Sequence, residues 1–274
     1  MIGKYKNIIW LCLIGLTVSC SDYQKVVKST DYEYKLKKAK EYYDDKQYGR
    51  SSQLYQDLVN IYRGTNRADQ IYYYLAKSFY GQKDYTLASH YFRLLIKEFP
   101  RSLYGEESQY MIGYCLYLDS PNPRLDQKTT NEAIDALQLF LNFYPNSTRV
   151  PEINQLLEKL HEKLVYKSYL SGKLYYDLQD YRAAVISLTN SLKEYPDSKY
   201  REELMFYLLK SKYLLGLNSI EEKKRERLSN VIDEYYNFVD EFPKSKFKKE
   251  TDHFFANVKK LMNLTDEDIN QIHK

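Results

Sequence analysis

Cysteine and histidine are the residue types in this chain best suited to act as nucleophiles, bases or metal ligands. The 274-residue sequence has three cysteines and four histidines. No His-Glu-x-x-His zinc motif, glycine-rich phosphate loop or nucleophile elbow occurs, so the sequence predicts no enzyme, no metal site and no cofactor. Four scattered histidines are expected to be surface or boundary side chains: His90, His161, His253 and His273. The acidic pairs Glu106-Glu107 and Glu202-Glu203 are expected to stabilise helix N-termini.

Cys20 ends a segment that has the composition of a secretory signal. A basic start precedes an apolar run over residues 8–18, and this run is shorter than the ~20 apolar residues that a membrane-spanning helix needs. Residues 1–19 are therefore predicted to be a signal peptide that is removed. The segment Leu16-Thr17-Val18-Ser19-Cys20 resembles the bacterial lipobox. This resemblance implies that Cys20 is acylated by more than one chain and anchors the mature protein stably in a membrane.

Cys115 would be the one cysteine left as a thiol, because Cys12 leaves with the signal and Cys20 carries lipid. It lies between Tyr114 and Leu116, and no basic cluster surrounds it in the sequence. A free cysteine in such a setting is most simply a small buried apolar side chain rather than a reactive thiol.

A short phrase recurs along the chain and divides it into units. An aromatic residue, proline, a variable residue and serine occur in this order at residues 99–102, 144–147, 195–198 and 242–245. Each proline ends a helix, and the serine can cap the next helix. Apolar residues before each phrase recur at intervals of three and four, which is typical of one helical face. With an earlier copy, five units are predicted to start at residues 48, 85, 130, 181 and 228.

The second unit has the tetratricopeptide pattern of spaced aromatic, leucine, alanine and proline residues. The matching positions are Tyr72, Leu75, Ala76, Phe79, Ala88, Phe92 and Pro100. The predicted fold is all-α, with five tetratricopeptide-like helix-turn-helix repeats that form an α-solenoid with a C-terminal capping helix. Small residues are expected where paired helices approach closely, at Ala76, Gly113 and Gly172.

The repeats predict a linear domain organisation. After the signal, we expect a tether at 20–30, repeats 1–3 at 31–150, repeats 4–5 with the capping helix at 151–264, and a frayed tail at 265–274. Unit three has an insertion from Leu118 to Gln127 that contains two prolines and should project as a loop. In unit five, an excursion at Leu217–Ser219 is followed by a charged run at residues 221–227.

Tyrosine is the residue type that the sequence supplies in excess. The chain has 31 tyrosines against 11 phenylalanines and one tryptophan. Because tyrosine combines a broad apolar ring with a wet hydroxyl, a concave surface that grips polypeptide segments is predicted. The tyrosines assigned to this substrate groove are Tyr72, Tyr73, Tyr110 and Tyr114. The alternative is that the tyrosines lie near the lipid or only reflect the composition of the chain. Interleaved basic and acidic residues, with a net charge of +4, predict no nucleic-acid surface.

The lipobox, the five repeats and the insertion that begins Tyr117-Leu-Asp-Ser-Pro together resemble the BamD family of outer membrane assembly lipoproteins. The likeness covers residues 20 to about 264, and the ending Tyr62-Arg-Gly-Thr65 of unit one is similar to the Bacteroidota form. It implies a scaffold of the BAM complex, lipid-anchored on the periplasmic face of the outer membrane. Such a scaffold binds the POTRA domains of a BamA-like barrel protein and unfolded β-barrel substrates, without cofactor or nucleotide.

The resemblance further implies that the three N-terminal units recognise substrate and that the two C-terminal units contact the BamA-like protein. Two other classes stay open, because a fold does not fix a function. One is a periplasmic repeat lipoprotein that coordinates cell-wall synthesis. The other is an outer-membrane glycan-binding lipoprotein similar to the SusD type, which is normally much longer.

Overall fold

The computed structural model describes residues 22–265 and residue 268. Within this range all regular structure is helical, and no helix is long and apolar enough to cross a bilayer. A helical segment at 22–28 precedes eleven longer helices: α1 (Tyr32–Asp44), α2 (Tyr48–Ile61), α3 (Ala68–Gly81), α4 (Tyr85–Glu98), α5 (Gly105–Asp119), α6 (Lys128–Phe143), α7 (Val150–Asp177), α8 (Tyr181–Glu194), α9 (Arg201–Leu217), α10 (Glu221–Glu241) and α11 (Lys248–Met262). The predicted signal peptide, Cys20 and most of the predicted tail lie outside the described residues.

Each repeat consists of two helices, a first and a second. We call α1, α3, α5, α7 and α9 the A helices, and α2, α4, α6, α8 and α10 the B helices. Three B helices begin at the predicted unit starts, Tyr48, Tyr85 and Tyr181. The predicted fold of five helix-turn-helix units in one register, closed by α11, is therefore confirmed.

Three of the five turns from an A helix to its B helix use a residue in the left-handed region. Lys46, Lys83 and Gln179 have φ angles of 59°, 63° and 61°. Their backbone N–H groups donate to the carbonyls of residues 43, 80 and 176, at the end of each A helix, at 2.9–3.0 Å. Side chains other than glycine are strained there by about 1 kcal/mol. Asp84 and Asp180 then cap the B helices that follow.

The repeated proline phrase forms the turn from a B helix to the next A helix. The serine hydroxyl oxygens of Ser102, Ser147, Ser198 and Ser245 accept hydrogen bonds from the backbone N–H two residues on, at 3.0–3.2 Å. The serines were predicted to cap the next helix. They stabilise the turn instead, because the next helix begins one residue after the N–H group that bonds to the serine. Short side chains that bond locally to the backbone favour such turns over helix interiors.

Close approach of an A helix to its B helix depends on glycine in the last three units. A Cβ added to Gly113, Gly172 or Gly216 would lie 2.5–2.7 Å from the Cδ2 atom of a leucine on the B helix. Those leucines are Leu137, Leu188 and Leu228. The predicted contacts at Gly113 and Gly172 are confirmed, and Gly216 repeats them in the last unit.

The described chain forms two compact units. Unit 1 contains the described residues up to Pro121 together with 126–157, and unit 2 contains 122–125 and the residues from 158 onward. In unit 1, Tyr55, Phe92 and Phe140 are the largest fully buried side chains. In unit 2, α11 covers α9 and α10, and its Phe254 ring stacks on Tyr213 with centroids 4.7 Å apart.

The two predicted insertions have different structures. Residues 120–127 form the expected loop between α5 and α6. The charged run at 221–227 is instead helical, since it forms the first turns of α10, which has 21 residues where α2, α4 and α8 have 14. Acidic residues in the first turn of α10 stabilise the helix by interacting with the positive end of its dipole. Lys224 also forms an ion pair with Glu221 at 3.1 Å.

The described part of the predicted tether is folded against unit 1. Tyr23 donates its hydroxyl proton to Gln53 Oε1 at 2.7 Å, and its ring meets the Tyr42 ring edge-on at 5.5 Å. Val26 is 2% exposed, and Lys35 Nζ donates to the Val27 carbonyl at 2.8 Å. Residues 22–28, which belong to the predicted tether, therefore pack on unit 1 as a helix.

Candidate protein-binding surface

The residue just before α5, α7, α9 or α11 packs on an aromatic ring of the preceding A helix. Three of these contacts are ring stacks, Tyr104 on Tyr73 at 4.3 Å, Tyr200 on Tyr169 at 4.7 Å and Phe247 on Phe206 at 4.0 Å. In the fourth contact, the Arg149 guanidinium lies 4.1 Å from the centroid of the Tyr110 ring. Stacked rings and cation–π contacts of this kind each contribute about 1 kcal/mol. They join consecutive A helices into one layer within each compact unit.

A glutamate in the first turn of the following helix completes each contact. Tyr110 donates its hydroxyl proton to Glu152 Oε1 at 2.7 Å, and Tyr169 donates to Glu203 Oε2 at 2.8 Å. Glu107 accepts a hydrogen bond from Lys77 Nζ at 3.0 Å. In the last repeat, Lys210 Nζ donates to Glu250 at 2.7 Å.

The protonation states of these pairs follow from burial and charge. Burial, and then the neighbouring glutamate, raises the pKa of Tyr110 and of Tyr169. The hydrogen bond from Tyr169 lowers the pKa of Glu203 below its usual value. Burial alone would raise the pKa of Glu107, but the hydrogen bond from Lys77 and its positive charge lower this pKa overall. At neutral pH the Tyr169–Glu203 pair is thus a neutral phenol bonded to a carboxylate, an arrangement that fixes helices rather than transferring protons.

The four tyrosines predicted to line a substrate groove occupy different places. Tyr73, Tyr110 and Tyr114 lie in the A-helix layer, where Tyr114 stacks on Tyr110 at 5.4 Å. Tyr72 instead faces Phe99, at the end of α4, with ring centroids 5.6 Å apart. Tyr72, Tyr73 and Tyr110 are 7%, 8% and 4% exposed, whereas Tyr114 is half-buried. Most of their surface is used in packing, and the groove assignment stays a prediction.

Open pockets on each compact unit offer space for side chains of a partner. In unit 1, a pocket of about 340 Å³ lies between α4, α5 and α6, with Ile96, Ile112 and Leu139 among its lining residues. In unit 2, a pocket of about 580 Å³ lies along α7 beside residue Arg124. Apolar walls with a few polar groups are typical of binding sites.

The remaining cysteine and histidines provide no site in the described chain. Cys115 is fully buried, as predicted, and burial raises the pKa of its thiol to about 12. His90, His161 and His253 are exposed, and His273 lies outside the described residues. Between residues 22 and 265, no three His, Cys, Asp or Glu side chains are grouped so that they could hold a metal ion.

Sequence reasoning does not assign the glutamate partners, although the sequence contains a signal for them. Glu107, Glu152, Glu203 and Glu250 each follow a phrase proline by seven residues. Two of them were assigned only to helix N-termini, because nothing local indicates that a carboxylate bonds to a tyrosine one repeat earlier. A glutamate at one fixed position after every proline is the pattern that would have revealed the contact.

Comparisons with known proteins identify a family for the chain. The family described as YfiO, outer membrane lipoprotein, matches residues 31–228. A protein of Aquifex aeolicus (strain VF5), provisionally named outer membrane protein assembly factor BamD, is 26% identical over 180 residues. This alignment covers 66% of the chain and 58% of that protein, so the chain spans less than two thirds of its relative. The crystal structure of apo RapI aligns over 94% of this chain and 97% of that chain, with 18% identity and a TM-score of 0.35.

Proposed function

Because the chain belongs to the YfiO family of outer membrane lipoproteins, we propose that it is a scaffold for assembling outer membrane β-barrel proteins. It acts in a BAM-type complex, where it binds the POTRA domains of a BamA-like barrel protein and receives unfolded barrel substrates. Lipid on Cys20 holds it on the periplasmic face of the outer membrane. The relative named as a BamD assembly factor supports this proposal.

The observation that carries the proposal is the A-helix layer with its two kinds of contact. Stacked rings, a cation–π contact and tyrosine–glutamate hydrogen bonds fix α3 on α5, α5 on α7 and α7 on α9. A preorganised layer binds a flexible segment with a smaller entropic cost, since only the partner must be ordered. No group in this layer is arranged as a nucleophile and base, which suits binding rather than catalysis.

An unfolded barrel segment is a suitable partner for such a surface. It alternates apolar and polar side chains, and half-buried tyrosines such as Tyr80 and Tyr114 present both a ring and a hydroxyl. Their ring centroids are 6.4 Å apart, on α3 and α5 of unit 1. Binding of this kind is weak for each residue and releases the segment readily.

Affinity purification tests the assembly role against the cell-wall alternative. The full chain is tagged at its C-terminus, and envelopes are solubilised in detergent before capture. Co-recovery of a barrel protein that has POTRA domains supports the proposal. Recovery of peptidoglycan enzymes without any such barrel protein would refute it in favour of the cell-wall scaffold.

Peptide binding tests the groove. A labelled peptide from the C-terminus of an outer membrane barrel protein is titrated with the full chain in detergent. Replacing Tyr80 and Tyr114 with alanine should weaken binding several-fold, whereas alanine at Tyr175, a 40% exposed tyrosine of unit 2, should not. Circular dichroism verifies that both variants fold. Unchanged affinity in the Tyr80 and Tyr114 variant removes the groove from the proposal.

The membrane anchor has its own test. Cys20→Ala should move the chain from the membrane fraction to the soluble periplasm, and mass spectrometry of the native protein should show a lipid-modified Cys20. A Ser21→Ala variant is the matched control and should stay with the membrane. Membrane retention of the Cys20 variant would contradict lipid anchoring without affecting the binding proposal.

A further inference from the structure

An open pocket lies along α7 in unit 2. Its volume is about 580 Å³, and its walls include Tyr166, Leu170 and Leu174 of α7. Arg124, at the tip of the loop between α5 and α6, closes one side. Lys167 Nζ donates to the backbone carbonyl of Arg124 at 3.3 Å, and this bond holds the loop beside α7. All of these residues belong to unit 2.

The charges at the mouth of this pocket are unbalanced. Lys173 and Asp177 form an ion pair at 2.7 Å and neutralise one another. Lys167 donates to a carbonyl, which leaves its positive charge without a carboxylate among the described residues. The Arg124 guanidinium likewise has no partner in the described chain. Two uncompensated cations therefore stand beside the apolar wall.

The apolar side chains of the pocket wall are partly exposed to solvent. Leu174 is 55% exposed, and Tyr166 and Leu170 are half-buried. Exposed apolar side chains that are grouped in a concave site indicate a ligand. A fitting ligand has a large apolar side chain for the wall and a carboxylate for the two cations.

We propose that this pocket binds an internal segment of a partner polypeptide in which an aspartate or glutamate adjoins a large apolar residue. The inference rests on the proposed function, since it adds an acidic–apolar specificity site to a scaffold that binds unfolded chains. The carboxylate pairs with Arg124 and Lys167, and the apolar side chain packs on Leu174 and Tyr166. Nucleic acid suits the site less, because a phosphate chain needs a longer row of cations.

A blocked peptide probe tests this site. The probe is a fluorescent seven-residue peptide with Leu-Asp-Phe at its centre, serine and glycine on both sides, an acetylated N-terminus and an amidated C-terminus. Binding to the full chain in detergent is measured by fluorescence anisotropy at low salt. The same peptide with asparagine in place of aspartate should bind at least roughly five-fold more weakly, because it lacks the charge.

Variants of the chain supply the second arm. Arg124→Glu should weaken binding of the aspartate peptide at least roughly five-fold and should affect the asparagine peptide far less. Leu174→Ser should weaken both peptides. Lys249→Glu, an exposed lysine of α11 in the same unit, is the matched charge control and should change affinity less than about two-fold. Arg124 lies on an exposed loop, so its variant is expected to fold, and circular dichroism verifies this.

Three outcomes would overturn the proposal. Equal binding of the aspartate and asparagine peptides would exclude the carboxylate, and unchanged affinity in Arg124→Glu would exclude this pocket. Tighter binding of a peptide with a free C-terminus and no acidic side chain would assign the site to chain ends instead. Co-purification with a POTRA-bearing barrel protein does not depend on any of these results, so failure of the pocket is distinguishable from failure of the assembly role.

Discussion

Tyr169 donates its hydroxyl proton to Glu203 at 2.8 Å across 34 residues of sequence. Tyr110 makes the same bond to Glu152 across 42 residues, because the loop of unit three lengthens the path between them. The contact is therefore set by position in the repeat rather than by separation in sequence. It couples the middle of one A helix to the first turn of the next.

Removing this hydrogen bond should cost stability without changing the packing of the ring. Tyr169→Phe keeps the stack on Tyr200 and deletes only the hydroxyl, so the free energy of unfolding should fall by about 1 kcal/mol. Urea unfolding followed by circular dichroism measures the change. Tyr175→Phe, at a 40% exposed position, is the control and should be neutral. Equal stability of both variants would mean that the bond contributes nothing net.

Alanine at the glycine contact should destabilise the protein although alanine favours helices. A Cβ at Gly172 would lie 2.5 Å from Leu188 Cδ2, and overpacking of this kind costs ~1–3 kcal/mol. At Gly49 the nearest atom would be Gln82 Oε1 at 3.7 Å. Gly49→Ala should therefore stabilise the protein by up to ~1 kcal/mol through helix propensity. Thermal unfolding of both variants tests the contrast, and a stabilising Gly172→Ala would contradict the close approach.

Acid should weaken the fold partly through Glu203. Its folded-state pKa lies below the usual 4.5, chiefly because of the Tyr169 hydrogen bond, so the unfolded chain binds a proton more readily. The stabilisation is complete above the unfolded pKa and is lost as pH falls through the folded pKa. Glu203→Gln should flatten the decline of stability between about pH 5 and about pH 3. Glu202→Gln serves as the control, and identical pH slopes for both variants would refute the assignment.

Alkaline titration should reveal the buried phenols. Burial is the largest cause that raises the pKa of twelve tyrosines in the described chain. Absorbance at about 295 nm near pH 11 should therefore show fewer phenolates in the native protein than in guanidinium. Circular dichroism verifies that the protein is still folded at that pH. Coinciding curves for folded and denatured protein would contradict the burial of these rings.

Docking of the N-terminal segment predicts its resistance to protease. Tyr23→Ala removes the hydrogen bond to Gln53 and the contact with Tyr42, so cleavage after Lys25 and Lys28 by trypsin should become faster. Tyr32→Ala, at a 42% exposed position, is the control and should be cleaved at the wild-type rate. Equal rates for the two variants would mean that Tyr23 does not hold the segment.

Local chemistry made much of the fold predictable from sequence. The starts of α2, α4 and α8 follow from periodicity and turn residues, and Gly113 and Gly172 follow from their place on the packed face. The left-handed turn at Lys83 was not predictable in this way, because lysine has no preference for positive φ.

The candidate site was less predictable for a different physical reason. An A helix packs against its own B helix and against neighbouring helices, so apolar periodicity does not distinguish one buried side from another. Tyr72 and Tyr73 are adjacent and equally buried, yet one faces Phe99 and the other Tyr104. Distinguishing them requires contacts that join residues one repeat apart, and those appear only in the folded chain.

The stack of Tyr200 on Tyr169 also determines where the chain could be shortened or lengthened by genetic recombination. A crossover at the proline phrase would separate an aromatic ring from its platform and a glutamate from its phenol. A crossover inside two A helices, between the glutamate of the first turn and the aromatic ring, would keep each ring with the residue and the glutamate that contact it. The segment that recombination could add or remove therefore runs from inside one A helix to inside the next. Its ends do not coincide with the prolines that mark the repeat.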